Sequence, residues 1–567
     1  MNKDQFEELD PQEQARVFYQ SSFRERGDLF PYCHQPDALT RSLSPEELYL
    51  LTRELDRDEL TEVIRFANLE QLFFLSDIDC WKKDRVSGKR FAGWLRALIG
   101  AGSQNFVRWF DEMDYEMVVT GFKKMIKVVK PEWEYALDEV LGDSPYFTLD
   151  NMYYILVEED DLEPVKQAME KIYEHHRGKY VALLEGILNE LDDEIEEEAY
   201  RRREMRLAEH GFPDPERARH IYHPITREDF EKFPLKERVP DSEPTAIAHY
   251  PSAWSESRLF LDDGLALLQE DGGEVLEGVR EELMWLSNKV VACEGIDLSS
   301  EERVRRGVER SRHMVNLGLE DLSCGDAAKA RDILKQRWLE IIFRWGAGVL
   351  QGLREEAWVV VRKYWKDDAR LCFDFLDAPY QDIFNGALQG GGVRNFTPAG
   401  LPLFYDEKKG DPGFREFRNA RDIEETRLRI KEAGLAHDFL ARHFPALFDR
   451  LHLESQRTGM RGTLFSLCGT LFAWFSLDGS ISDKPLPQGS AQAFLEKGFT
   501  RGSGKSVLIP SLTEKFLPHF FSAEGRKALE PFWVLVFSRL ESELAGLDFR
   551  KPVDSRYVSC LLIAPSC

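Results

Sequence analysis

Between residues 43 and 130 the apolar positions recur at helical spacing in short runs, each opened by a capping residue and closed by a glycine or a polar break. Ser44-Pro45-Glu46-Glu47 has the form of a capping box with proline at the first helical position, which predicts a helix to Leu55. Asp58 and Asn68 are placed to open the next two. Phe91, Trp94, Leu95, Leu98 and Ile99 fall at i, i+3, i+4, i+7 and i+8, one face of a helix closed by Gly100 and Gly102. Ser103 is placed to cap a helix carrying Phe106, Val107, Trp109 and Phe110. Asp114 precedes another, with Met117, Val118, Phe122, Met125 and Ile126. Helices this short bury their apolar faces only against neighbours, so the pattern predicts a superhelix.

The rhythm breaks at Pro145. Tyr146 to Leu149, then Asp150-Asn151, then Met152 to Val157 read as a β-hairpin with a tight turn. Helices resume after Leu162, with Val165, Met169, Ile172 and Tyr173 on one face. In "DEIEEEAYRRREMRLAEHGF" Glu197–Arg201 and Glu198–Arg202 are i,i+4 pairs, and Gly211 is placed as a C-cap. From Phe233 to Ala253 the prolines 234, 240, 244 and 251 interrupt any periodicity. The expected organisation is therefore an N-terminal helical arm (1–42), a superhelical domain with a β-hairpin (43–233), a Pro-rich linker (234–254) and a larger helical C-terminal domain (255–567). The fold class is mainly α. In the C-terminal part the longest helical run extends from Asp326 to Trp365. Trp338 and Trp345, and Trp358 and Trp365, are seven apart and read as a core stripe, with Gly346, Gly348 and Gly352 permitting a close helix crossing or marking a break. Residues 386–413 form a long Gly/Pro loop.

Composition narrows the class. Hydrophobic residues make up 43% of the 567, enough for a folded chain. The net charge of −26 disfavours a general nucleic-acid or anionic-membrane binder, although a local basic patch remains compatible with it. Cys33, Cys80, Cys293, Cys324, Cys372, Cys468, Cys560 and Cys567 include no Cys-x-x-Cys pair, which fits scattered thiols in a reducing compartment. The N-terminus lacks the apolar core of a signal peptide. The most apolar stretch, Leu464 to Leu477, is too short to span a bilayer and reads as a buried core helix. A cytoplasmic location follows, without membrane insertion.

Candidate chemistry is sparse. "GFTRGSGKS" at 498–506 suggests a phosphate loop, but the position six before Lys505 is Phe499 where a glycine is required. A helix precedes it, and the following Val507-Leu508-Ile509-Pro510 is β-prone, with a proline set against an immediate long helix. It reads as a surface turn. Glu216, His220 and His223 stand at i, i+4 and i+7 on a short helix after Pro215, a donor set compatible with Zn²⁺ or Fe²⁺. Surface histidines at a helix C-terminus are the favoured alternative, and no cofactor is expected. Arg201, Arg202, Arg203 and Arg206 could hold an anion, but the preceding carboxylates more readily neutralise them. His175-His176 and His437 with His443 have no third ligand nearby in sequence. No hydrolase, zincin, dinucleotide or di-iron motif is present. The leading expectation is a protein-binding scaffold or regulatory module. The alternative is an enzyme with an interdomain pocket, with 386–413 and 233–253 as its lids.

The segments "LSPEELYLLTREL", "LEQLFFLSDIDCW", "YFTLDNMYYI" and "EEEAYRRREMRLAEHGFPDPERARHIY", with "LSNKVVACEGIDL" and "NLGLEDLSCGD" further on, resemble a large bacterial family of unknown function, mainly delta-proteobacterial. That resemblance covers most of the chain. It implies a mainly helical cytoplasmic protein and brings no activity or catalytic residues. The helical repeats at 43–130 also resemble the cytosolic superhelical domain of MgtE-type transporters and of FliG. Those domains act by packing against partners or other domains, and without the transmembrane helices that follow them in the transporters, transport itself is not implied; a protein partner is expected here.

Overall fold

The computed structural model describes residues 3–21, 23–131, 145–158, 162–236, 258–270, 273–295, 301–365, 369–389, 400–409, 413–443, 462–482, 484–501, 506–521, 523–547, 553 and 558–564. The described residues are mainly helical and form two compact units, Met1–Gly346 and Ala347–Cys567, the division falling within a helix, Leu339–Trp365.

The first unit opens with α1 (Lys3–Glu7), α2 (Pro11–Gln20), α3 (Phe23–Leu29), α4 (Pro36–Ser42), α5 (Pro45–Thr52), α6 (Arg57–Phe66) and α7 (Leu69–Asp79). A two-stranded hairpin, β1 (Trp81–Lys82) and β2 (Arg85–Val86), leads to α8 (Gly88–Ala101), α9 (Ser103–Glu112) and α10 (Tyr115–Lys123). From α3 onward these helices pack on the one two places along: α3 on α5, α4 on α6, α5 on α7, α6 on α8, α7 on α9. This is the superhelix that the spacing implies. One apolar core runs through it from Phe6, Phe18 and Leu39 to Trp109 and Phe122.

The caps explain where helices begin. The Ser44 hydroxyl accepts from the Glu47 N–H, and Asn68 and Gln71 form a reciprocal capping box. The third cap is Asp56 rather than Asp58: Asp56 takes the N–H groups of Asp58 and Glu59, and Glu59 returns to the Asp56 N–H. Ser103 lies inside α9, and Gly102, with φ +125°, makes the break between α8 and α9.

Met125 and Ile126 are not in α10, which stops at Lys123. Ile126-Lys127-Val128-Val129 is instead a strand, β3, whose β-branched residues suit a pleated surface better than a helix. The expected hairpin is β4 (Tyr146–Phe147) against β5 (Tyr154–Val157), with Tyr146 opposite Leu156, and β3 pairs antiparallel with the other edge of β5. The turn is wider than two residues. The Asp150 carboxylate accepts from the N–H groups of Met152 and Tyr153, and Thr148 Oγ1 accepts from Asn151, which closes a six-residue connection from Thr148 to Tyr153.

Helices Leu162–His175, Arg177–Asn189 and Asp192–Glu209 follow, the last ending at Gly211 with φ +80°. Further on, Gly273–Cys293 packs on Glu301–Ser323. The long C-terminal run is two helices, Ala327–Gln336 and Leu339–Trp365, broken at Arg337-Trp338. A Cβ at Gly346 would collide with the Met314 carbonyl, and one at Gly318 with the Ile342 carbonyl, so these two glycines permit the close crossing. The tryptophan stripe is not a core stripe: Trp365 is buried, but Trp345 and Trp358 are half-buried and Trp338 is exposed. The buried face is formed by Ile342, Leu353, Ala357 and Val361. The expected linker lies largely outside the described residues, and the described residues on both sides of it fall in the first unit.

In the second unit, Leu464–Asp478 is the central helix, buried from Leu464 to Ala473 and packed on Gln488–Gly498 and Ala523–Leu544. Phe472 meets the rings of Phe494, Phe516 and Phe537. A Cβ at Gly469 would strike the Cys560 carbonyl, and Thr470 Oγ1 accepts from the Leu562 N–H, which seats the 558–564 segment on this helix. Within the phosphate-loop look-alike, Phe499–Arg501 is a strand paired with Ser506–Leu508, and residues 502–505 between them are outside the described set. A helix does follow at once, Pro510–Phe520. The proline occupies its first position, where no N–H is needed.

Candidate functional site

A charge cluster in the first unit gathers on the helix Asp192–Glu209. Its arginines sit near the C-terminal half, where cations suit the helix dipole. Arg206 grips the Asp77 carboxylate of α7 with two hydrogen bonds, Nε to Oδ2 and Nη2 to Oδ1, each 2.8 Å, and its Nη1 meets Asp114. Arg203 Nε donates to the Asp77 carbonyl at 2.7 Å while its guanidinium lies 5.1 Å from the Trp81 ring centre. Arg202 pairs with Asp114 at 3.4 Å and with Glu116 at 3.1 Å. Asp114 therefore stands at the N-cap of α10 without making a cap bond, because its oxygens are engaged by arginines. One turn beyond, His210 lies 3.6 Å from Glu46 and 3.9 Å from Glu70, its ring edge-on to Phe74.

Asp77 is fully buried, and burial holds its carboxyl above the ordinary range against the pull of the Arg206 hydrogen bonds. Burial likewise lowers Arg203. His210 goes the other way. Burial opposes its charge, but the adjacent Glu46 carboxylate and the charges of Glu70 and Asp77 outweigh it and raise its pKa. The junction is thus a set of ion pairs, several of them charge-assisted hydrogen bonds, tying α5, α7 and α10 to one long helix and its C-cap His210.

The expected i,i+4 pairs are present, Arg201–Glu197 at 2.6 Å and Arg202–Glu198 at 3.5 Å. Sequence spacing did not reveal Asp77, Asp114, Glu116 and Glu46, which come from other helices. One signal was available. Asp77 interrupts the apolar run Leu72 to Ile78, and a carboxylate inside a core helix requires a cationic partner.

Glu216, His220 and His223 lie at the surface, on a helix Pro215–Ala218 that tightens into a 3₁₀ turn, Arg219–Tyr222. The imidazole rings of His220 and His223 stand 5.2 Å apart, edge to face. A 3₁₀ turn aligns i with i+3, which brings the histidines together and takes Glu216 out of the α-helical register. Among the described residues no three His, Cys, Asp or Glu side chains are grouped to hold a metal ion. His176 pairs with Asp111 at 3.2 Å. His437 is packed among the rings of Tyr364, Trp365 and Phe375, and burial pushes its pKa down to about 4.

Of the two expected lids, 233–253 lies outside the described residues beyond Lys236, and 386–413 is described at 386–389, 400–409 and 413. The described part of 386–413 is bound to its own unit: Phe404–Tyr405 pairs with Phe414–Arg415, and Arg415 bonds Asp406 at 2.9 Å and Asp422 at 2.7 Å. Among the described residues no helix is long and apolar enough to cross a membrane.

A family model described as a family of unknown function, DUF6178, matches residues 3–564. No curated protein and no solved structure matches the chain.

Proposed function

Since the chain belongs to this family of unknown function, we propose from its architecture that it is a cytoplasmic protein-binding scaffold or regulatory module. The observation that carries this reading is the regular packing of each short helix on the one two places along, from α3 to α9. Such stacks are built from neighbour contacts and present long continuous surfaces, which suits them to holding other chains. The charge junction supports the same reading. It stiffens the stack by locking α5, α7 and α10 to the helix Asp192–Glu209 through paired rather than free ions. Tagging the chain at its native locus and quantifying what co-purifies tests the proposal. A partner recovered near one-to-one is the expected result, and repeated recovery of the chain alone contradicts it.

A further inference from the structure

The stretch Lys82 to Arg90 carries five cations and one carboxylate, Asp84, in a chain whose net charge is −26. All five are exposed, and four of them, Lys82, Lys83, Arg85 and Lys89, make no ion pair among the described residues. The fifth, Arg90, turns back to donate to the Trp81 carbonyl at 2.7 Å.

Local stability does not account for the arrangement. In the β1–β2 hairpin Lys82 stands directly opposite Arg85, and like charges so placed repel. Lys83 holds φ +61° at the turn, a conformation that glycine or asparagine takes at less cost. The hairpin is nevertheless firmly seated. Trp81 and Val86 are buried, Trp81 meets the Tyr200 ring, and the Val86 N–H donates to Glu196 at 2.9 Å. The Ser87 N–H closes the hairpin base on the Cys80 carbonyl, and Ser87 makes no side-chain cap, which leaves the positive end of α8 beside the lysines. A rigid base thus displays unneutralised cations.

We propose that Lys82, Lys83, Arg85 and Lys89 form a docking surface for a short acidic segment of a partner protein. This inference rests on the scaffold reading and names the chemistry of the partner. Partner carboxylates would relieve the Lys82–Arg85 repulsion and complete the charge-assisted hydrogen bonds that the chain does not supply. A short segment fits better than a nucleic acid. The helix beneath the hairpin also exposes Asp193, Glu194 and Glu197, so a long polyanion would run from the cations onto repelling carboxylates.

The test is fluorescence anisotropy of a labelled hexaglutamate peptide with the full chain at low salt. The comparison is with K82E/K83E/R85E/K89E and the neutral K82Q/K83Q/R85Q/K89Q, both checked for unchanged melting, and with K166E as a control outside the hairpin and α8. The wild type and K166E are expected to bind, more weakly as salt rises, and both patch variants to lose about tenfold or more in affinity. Equal binding by the patch variants, no binding by the wild type, or preference for a labelled single-stranded oligonucleotide or for phosphatidylglycerol vesicles overturns the proposal. Affinity purification with the charge-reversed chain separates the two readings. A partner retained by that variant defeats the patch and leaves the scaffold standing, whereas a wild-type chain with no partner defeats the scaffold.

Discussion

Asp77 and Arg201 illustrate how differently two charges of one cluster weigh. Asp77 is buried and held by Arg206 on both oxygens, so removing it leaves the Arg206 guanidinium with Asp114 alone as its carboxylate partner. Asp77→Ala is expected to cost about 3–5 kcal/mol, read as a large drop in the thermal midpoint by circular dichroism. Arg201 pairs with Glu197 in solvent, and Arg201→Ala should change stability by less than about 0.5 kcal/mol. His210 adds a pH signature. Its folded pKa lies above its ordinary value, so the imidazolium stabilises the fold below the unfolded pKa and this contribution fades as pH rises through the folded pKa. The stability gap between wild type and His210→Gln should therefore be wider at acidic than at alkaline pH. A gap that does not change with pH would remove the ion pairs with Glu46 and Glu70 from the account.

At the level of elements, helices were read most accurately where caps and periodicity agree, as at Ser44, Asn68 and the α8 face of Phe91, Trp94, Leu95 and Leu98. The strand β3 was missed because Ile126 and Val129 continue the spacing of α10, and their partner, β5, lies well along the chain. The cluster on Asp192–Glu209 was half legible. Its i,i+4 pairs follow from spacing, but Asp77, Asp114 and Glu116 reach it only through tertiary packing. The tryptophans of Leu339–Trp365 were misread since a seven-residue spacing marks a face without saying which side is buried. Two glycines give a matched test of element packing. Gly318→Ala would drive a methyl into the Ile342 carbonyl and should destabilise by about 1–3 kcal/mol. Gly352, on the long helix, has open space where a Cβ would stand, and Gly352→Ala should stabilise by about 0.5–1 kcal/mol. Equal effects in chemical or thermal unfolding would contradict the crossing at Gly318.

On the scale of the whole chain, a stack of short helices spends its apolar surface on neighbours and leaves a polar exterior, which the net charge of −26 makes strongly acidic. Against that background the cations of the β1–β2 hairpin are the local exception, and they give the scaffold reading a place where binding begins. The most direct measurement is the native mass of the endogenous, tagged chain in gently lysed, low-salt extract, by size exclusion with light scattering after single-step purification. The chain alone has a mass of 65.7 kDa. The scaffold account predicts a particle heavier by at least one whole partner, which falls apart as salt is raised. A particle of 65.7 kDa at every salt concentration would contradict it.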